Sequence, residues 1–174
     1  MAVASSEVGC EEVVQECHVK VVNKVAAFMY DDVWKRRFRE EYPEITEHKK
    51  ALNLEDACEK KWSVQHGEVE EVDVLRSDFV NLPSSWQTEY LERAQAFVRE
   101  IVSAHETGGR DALDDSFVEE TAEKAHAIWR ESNKVSAPAH RNCAYEKLGS
   151  ADKEIECNQV RAVIGLCVKE LKLG

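Results

Sequence analysis

Glycine, proline and long apolar runs are all scarce in this sequence of 174 residues. It has seven Gly and three Pro, too few for an all-β protein with many tight turns, a collagen or a mucin-like stalk. The longest apolar run, Ala162–Val168, is far shorter than the roughly 20 residues that span a bilayer. These absences favour a soluble, mainly helical protein.

The sequence also lacks the short motifs of common catalytic and nucleotide-binding sites. It contains no GxGxxG, GxxxxGK[ST], HExxH, GxSxG or EF-hand pattern. None of its six cysteines forms a CxxC pair, and the best metal-like spacing, His140-x-x-Cys143, needs two further ligands. We therefore predict no cofactor, no metal site and no catalytic residue. A thiol- or histidine-dependent enzyme stays open as an alternative, because such partners are distant in sequence.

The net charge of −11 argues against nucleic acid or an anionic membrane as the main partner. One basic run, Lys35–Arg39, is bordered by Asp31 and Asp32, and these acids pair with it at i, i+4 spacing. That pattern predicts a solvated, self-neutralising helix face. The first residues lack the basic and apolar regions of a secretory signal, so we expect a cytoplasmic protein with reduced thiols.

Apolar residues spaced three and four apart predict four or five amphipathic helices. Residues 11–41 are expected to form one helix, or a kinked helix pair bent near Asp31 and Asp32, that stops before Pro43. Later helices are expected to start near Ser84, Asp114 or Asp115, and Ser150. Residues 61–75 instead suggest one small β-hairpin that turns at His66-Gly67. The predicted fold class is mainly α, a compact irregular helical domain that spans residues 1–174.

Two segments of the chain are alike in how they lead into a long helix. Each places an aromatic residue, a leucine and a serine at the same offsets. The segments are Phe79-Val-Asn-Leu82-Pro-Ser84 and Tyr145-Glu-Lys-Leu148-Gly-Ser150. The likeness suggests an internal duplication of residues 58–104 and 117–171, although any two capped amphipathic helices would agree about as well at apolar positions.

The second segment and the helix before it carry a spaced set of alanine, histidine, aromatic and polar residues. The set comprises Ala122, His126, Trp129, Tyr145, Leu148 and Asp152-Lys153-Glu154-Ile155. This pattern resembles the repeat found in tandem in the cytoplasmic part of ryanodine receptors and in some microbial proteins. The resemblance covers Phe117–Leu171 and, faintly, 58–102. Gly149 replaces the family's usual proline, and Glu156-Cys157-Asn158 replaces its Arg/Asn-type pair.

The resemblance implies a small all-helical module that binds a protein partner or small ligand and is not known as a catalyst. We therefore predict a non-catalytic binding module, with a structural or scaffold protein as a further alternative. The candidate ligand-binding residues are His126, Trp129, Tyr145 and Trp86, where the two halves are expected to meet. Trp129 more readily fits core packing, and His126 more readily fits a buried histidine with a fixed partner.

Overall fold

The computed structural model describes the backbone of residues 7–174 and the side chains of residues 15–174. Its helices are α1 (Glu7–Ala27), α2 (Lys35–Glu41), α3 (Ala57–Gln65), α4 (Ser84–Gly108), α5 (Asp115–Ser132) and α6 (Ser150–Glu170). A π-helical segment, Phe28–Trp34, joins α1 to α2 without a break. Strands β1 (Lys49–Ala51) and β2 (Glu71–Asp73) pair antiparallel. The prediction of a mainly α protein with one small two-stranded sheet is confirmed.

Residue contacts divide the chain into two compact units. Unit 1 combines the chain up to Val21 with Phe97–Gly174, and unit 2 is Val22–Ala96. In unit 1, α5 packs against α6 and against the 3₁₀ segment Tyr145–Lys147. In unit 2, β1 packs beside β2. The expected single domain with an internal duplication stays a prediction.

Buried apolar side chains follow the helical spacing expected from the sequence. Those of unit 1 are Val21, Phe97, Val98, Ile101, Val118, Ala122, Tyr145, Leu148, Cys157, Val160, Val163, Ile164 and Cys167. Those of unit 2 are Val25, Ala26, Met29, Tyr30, Val33, Leu52, Val72, Val74, Leu75, Phe79, Leu82 and Ala94. Periodicity therefore identified the inward faces of α4 and α6, but that of α5 only in part: Ile128, which the apolar spacing places inward, is 50% exposed, and His126 is buried instead.

The small sheet does not lie where the sequence suggested. Its second strand falls inside the predicted hairpin 61–75, but its first strand is Lys49–Ala51, with Lys50 opposite Val72. The predicted first strand, from Trp62 onward, belongs to α3. A helix forms there because the side chain of Asp56 caps the N-terminus of α3. Its carboxylate accepts hydrogen bonds from the backbone N–H groups of residues 58 and 59.

Gly67 ends α3 rather than turning a hairpin. The N–H of Glu68 donates to the carbonyl of Ser63 at 2.8 Å, and the N–H of Gly67 donates to that of Val64 at 3.4 Å. This is the pair of bonds of a Schellman motif, which needs a left-handed residue after the helix. Gly67 supplies it with a φ of +88°.

Two glycine-to-alanine substitutions should change stability in opposite directions. Gly67→Ala should lower the free energy of unfolding by about 1 kcal/mol, because L-residues resist its positive φ. Gly165→Ala should raise it by about 0.5–1 kcal/mol, since Gly165 is exposed inside α6 and nothing lies where the new methyl group would go. Urea denaturation of the two variants checks both signs. A stabilising Gly67→Ala would contradict the helix-end assignment.

The basic run at residues 35–39 is only partly solvated. The predicted pair forms, with Nζ of Lys35 3.0 Å from Oδ1 of Asp31. However, Lys35 is only 5% exposed, because Asp78 approaches its ammonium group at 3.8 Å and the ring of Tyr30 lies 5.1 Å from it. Lys35 is therefore a buried member of unit 2 rather than part of a solvated face.

The two similar segments share a local backbone conformation. In each, an extended residue precedes a 3₁₀ turn, Phe79–Asn81 or Tyr145–Lys147, and an extended leucine follows it. The N–H of Leu82 donates to the carbonyl of Phe79, as that of Leu148 does to Tyr145. Ser84 and Ser150, expected as caps, are instead the first residues of α4 and α6. The shared turn is local, and the duplication of whole halves stays a prediction.

Candidate functional site

Helix α5 brings His126 and Trp129 onto one face. Its N-terminus is capped by Asp114, whose carboxylate accepts the N–H of Phe117 at 2.9 Å. At its other end, Asn133 Nδ2 donates to the carbonyl of Trp129 at 2.7 Å. The two rings stack at 5.7 Å with 28° between their planes. The spacing i, i+3 therefore places them together, as the sequence predicted.

His126 is buried and makes two polar contacts. It is 1% exposed, and its Nε2 lies 2.8 Å from the carbonyl oxygen of Cys143. Its Nδ1 faces Oε1 of Glu156 at 3.9 Å, an ion-pair distance. Because a carbonyl oxygen can only accept, Nε2 must carry a proton to donate. His126 thus links α5 to the following loop and to α6.

The electrostatic surroundings raise the pKa of His126 above its ordinary 6.5. The main cause is the Glu156 carboxylate, which favours the protonated imidazole. Burial acts in the opposite direction, as does the nearby cation of Arg141, while the Cys143 carbonyl adds to the rise. The folded environment therefore favours the protonated form of His126 more than water does.

Tyr145 is also buried and lies beside this pair. Its ring centroid is 6.2 Å from that of His126, and its hydroxyl is 3.4 Å from Sγ of Cys157. The Cys157 thiol points in turn to a carboxylate oxygen of Glu119 at 3.9 Å. Burial is the main cause that raises the pKa of Tyr145 well above its ordinary value. Its hydroxyl stays neutral and acts as a structural hydrogen-bonding group.

Trp129 is half-buried, and its indole ring lies against the side chain of an arginine. The guanidinium carbon of Arg141 lies 4.2 Å from the indole centroid, well inside the range for a cation–π contact. Asn142 connects neighbouring residues, since its Oδ1 accepts from Nε of Arg130 at 3.4 Å and its Nδ2 donates to the backbone carbonyl of Lys134 at 3.5 Å. We call Trp129, Arg130, Lys134 and Arg141 the α5–loop surface.

The α5–loop surface differs in charge from the protein as a whole. Residues 130–142 contain three cations and a single carboxylate, Glu131, in a chain of net charge −11. Glu131 pairs with Lys134 at 2.5 Å, and both side chains are well exposed. Val135 between these cations is fully exposed. The surface therefore combines local positive charge with an exposed apolar side chain.

Trp86, the fourth predicted site residue, lies in unit 2 and belongs to another cluster. Its indole Nε1 donates to Oε1 of Glu59 at 2.9 Å, and the Nζ of Lys50 lies 4.8 Å from its ring. Ser85 donates to the same carboxylate oxygen at 3.1 Å, and the N–H of Asn53 donates to the other one. Glu59, buried on α3, organises this cluster. A site at the junction of the two predicted halves stays a prediction.

Sequence reasoning missed Arg141, Glu156 and Asn142. Arg141 and Asn142 sit in an irregular loop, where no periodicity predicts which side chain returns to the helix. Glu156 is buried on α6 although its residue type is mostly exposed. A usable clue for Glu156 was its place on the apolar side of α6, one residue before Cys157 and four before Val160.

The cysteines show no nucleophilic arrangement at this place. Cys143 meets His126 through its carbonyl, while its thiol contacts the carbonyl of His140 at 3.8 Å. Cys157 and Cys167 are buried, and burial raises the pKa of Cys167 to about 11. Cys17 is exposed, and the side chain of Cys10 lies outside the described residues. A thiol buried this way is a poor nucleophile because it resists ionisation.

A groove of about 550 Å³ lies elsewhere on unit 1, along α4 and the start of α5. Arg99, Ser103, Thr107 and Phe117 are among the residues that line it, and none of the four predicted site residues does so. Within residues 15–174, no group of three or more His, Cys, Asp or Glu side chains is placed to hold a metal ion. Within the same part of the chain, no helix has both the length and the hydropathy that crossing a membrane requires.

In comparisons with known proteins, the chain matches no protein family model, no curated protein and no solved structure.

Proposed function

We propose that this chain is a non-catalytic helical binding module that holds an acidic segment of a protein partner on the α5–loop surface. The observation that carries the proposal is the Arg141 guanidinium stacked on Trp129 at 4.2 Å. Guanidinium groups bind carboxylates through two parallel hydrogen bonds, and they do so while stacked on an aromatic ring.

Stacking prepares Arg141 for binding before a partner arrives. A free arginine side chain loses considerable rotamer freedom when it is immobilised at an interface. The Trp129 ring restricts that freedom in the unbound protein, so less entropy is lost when a carboxylate binds. Trp129 is itself held by the stacked ring of His126 and by Asn133 at its carbonyl.

Charge supports an acidic partner over a basic one. Arg130, Lys134 and Arg141 lie in one short segment in which Asn142 contacts Nε of Arg130 and the backbone carbonyl of Lys134, whereas the rest of the protein carries the excess of Asp and Glu. An acidic peptide is therefore attracted to this surface and repelled by most others, which favours one docking position. The exposed side chain of Val135 offers an apolar contact beside the cations.

The buried side chains fit a supporting role. His126 and Tyr145 are almost inaccessible, so they shape the surface rather than touch a partner. The resemblance of residues 117–171 to the ryanodine-receptor-type repeat points the same way, because that family is a class of binding modules. A cytoplasmic location is part of this proposal.

Arg141→Gln should weaken binding of a fluorescein-labelled peptide of alternating glutamate and leucine by about tenfold or more, since one charge-assisted hydrogen-bonding group is lost. Fluorescence anisotropy at low and at physiological salt measures the dissociation constant. The matched control is Arg110→Gln, which makes the same charge change at an exposed position of unit 1. A peptide with glutamine in place of glutamate should bind poorly.

Trp129→Leu should also weaken binding, because leucine fills space but gives the guanidinium no aromatic platform. The proposal is wrong if Arg141→Gln and Arg110→Gln bind the acidic peptide equally well. It is also wrong if the glutamine peptide binds as tightly as the glutamate peptide. Binding of a small anion without the peptide would favour the small-ligand alternative.

A further inference from the structure

Strand β1 pairs with β2 along one edge, and its other edge has no strand beside it in the part of the chain that the structure describes. The N–H of Val74 donates to the carbonyl of His48 at 2.9 Å, two residues before Lys50. Even-numbered residues of β1 therefore point their backbone groups at β2. Because the ladder alternates, Lys49 and Ala51 point theirs away from β2.

The outer edge of β1 offers the N–H and C=O groups of both Lys49 and Ala51 for hydrogen bonding. Among the described residues, none bonds to these groups, and every residue of the strand is exposed. Such an edge is a template on which another extended segment can pair. Ala51 leaves the approach open, because its side chain is only a methyl group. The edge can therefore accept a third strand.

A lysine stands on each face of this edge. Residues directly opposite one another in a ladder share a face. Lys50 therefore lies on the side of the buried Val72, and Lys49 lies on the opposite side with Asp73. The Nζ of Lys50 is 4.8 Å from the Trp86 ring, and this contact restrains the side chain beside the edge. An incoming strand thus meets an ammonium group on both of its faces.

The neighbouring carboxylates leave this positive charge available to an incoming strand. Glu47 pairs with Lys49 at 3.3 Å, but both side chains are about half exposed, and exposed pairs contribute little. Asp73 already accepts two backbone N–H groups. It lies on β2 together with Glu71, so the backbone of an added strand would be about 10 Å from that of β2, twice its distance from β1. The lysines of β1 are therefore its nearer charges.

We propose that the outer edge of β1 is a second docking site, which binds an extended acidic segment of a protein partner as a third strand. Backbone hydrogen bonds attach the segment, and Lys49 and Lys50 select its carboxylates. A second copy of this chain is a poor occupant, because pairing two β1 edges brings their lysines together. The site belongs to unit 2 and does not rest on the function proposed for the α5–loop surface.

The test uses the full chain with a short peptide of alternating glutamate and threonine, and a glutamine–threonine peptide is the control. Hydrogen exchange is followed residue by residue in ¹H–¹⁵N spectra, which separates this edge from the α5–loop surface. At a free peptide concentration about ten times the dissociation constant, exchange of the Lys49 and Ala51 amides should slow about tenfold. The Lys50 amide already faces β2 and should change less.

A matched pair of variants tests the outward backbone groups. Ala51→Pro removes one outward N–H and no hydrogen bond to β2, and proline is tolerated at such an edge. Ala51→Val keeps that N–H in a residue that favours strands. The glutamate–threonine peptide should bind Ala51→Val like the wild type and Ala51→Pro about tenfold more weakly, as judged by protection of the Lys49 amide.

A second measurement leaves the protein unchanged. The same peptide N-methylated at every residue has no backbone donor and carries a methyl group where each hydrogen bond would form, so it should not slow exchange at Lys49 or Ala51. This comparison holds even if circular dichroism shows that Ala51→Pro does not fold. Arg141→Gln should leave protection at the β1 edge unchanged, so the two proposals can fail separately.

The proposal is overturned if the glutamate–threonine peptide leaves the Lys49 and Ala51 amides unprotected, or if Ala51→Pro and Ala51→Val bind it equally. Equal protection by the N-methylated peptide would also overturn it. Equal protection by the glutamine–threonine peptide would contradict an acidic occupant. Protection that grows with protein concentration in the absence of peptide would assign the edge to a second copy of the chain instead.

Discussion

Replacing His126 by leucine should lower the free energy of unfolding by about 3–5 kcal/mol near pH 6, because it removes one partner of a buried ion pair. The cost has two parts. The Cys143 carbonyl loses its donor at 2.8 Å, and the buried carboxylate of Glu156 loses its imidazolium. Urea denaturation followed by circular dichroism measures the change.

A second substitution shows where that cost comes from. Adding Glu156→Leu to His126→Leu should recover a large part of the lost stability, because buried ion pairs are often replaced by apolar residues of similar volume with little loss. If the double variant is as unstable as the sum of both single variants, the two residues are not coupled, and the pair assignment fails.

The destabilisation by His126→Leu should also depend on pH. The folded-state pKa of His126 is raised, so its stabilising contribution is complete below the unfolded value near 6.5 and is lost as the pH rises through the folded value. The difference between wild type and variant should therefore be larger near pH 6 than near pH 9. A difference that grows with pH would contradict the sign of the pKa shift.

Replacing Phe79 by alanine should cost about 3–5 kcal/mol, as expected for a fully buried aromatic residue. Phe79 is 1% exposed, and its ring centroid lies 6.0 Å from those of both Tyr30 and Tyr90. Those tyrosines are themselves in edge contact at 5.3 Å. Alanine would leave a cavity in the middle of this aromatic cluster of unit 2.

The neighbouring residue supplies the control for this prediction. Val80 belongs to the same 3₁₀ turn but is 72% exposed, so Val80→Ala should change stability by no more than about 0.5 kcal/mol. Thermal and urea denaturation of both variants test the contrast. Similar losses for Phe79→Ala and Val80→Ala would mean that the turn matters through its backbone and not through the buried ring.

Much of the helical structure could be predicted because its cause is local. The inward residues of α6, such as Val160, Ile164 and Cys167, recur at three- and four-residue spacing, and Asp114 caps α5 through its own side chain. The first strand was misplaced because a local pattern was ambiguous. The alternation of apolar and polar residues around Trp62 is typical of a strand, but the N-terminal cap at Asp56 stabilises a helix there.

The candidate surface was predictable only in part. His126 and Trp129 share a helix face by spacing alone, and Tyr145 was expected beside them. What each residue does depends on groups far along the chain, namely Cys143, Arg141 and Glu156. Those contacts bury His126 and leave Trp129 at the surface, so Arg141, which the sequence did not mark, becomes the principal binding residue of the proposal.

Composition, spacing and caps by themselves determined the mainly α class and the inward faces of α4 and α6, because these depend on residues within a few positions of each other. The tertiary structure alone decided that β1 pairs with β2 although α3 lies between them in the sequence. It also decided that Lys35 is buried near Asp31 and Asp78, and that His126 contacts the Cys143 carbonyl and faces the Glu156 carboxylate. The physical reason is that burial and ion pairing depend on which distant segments come within a few ångströms, and no local pattern encodes that.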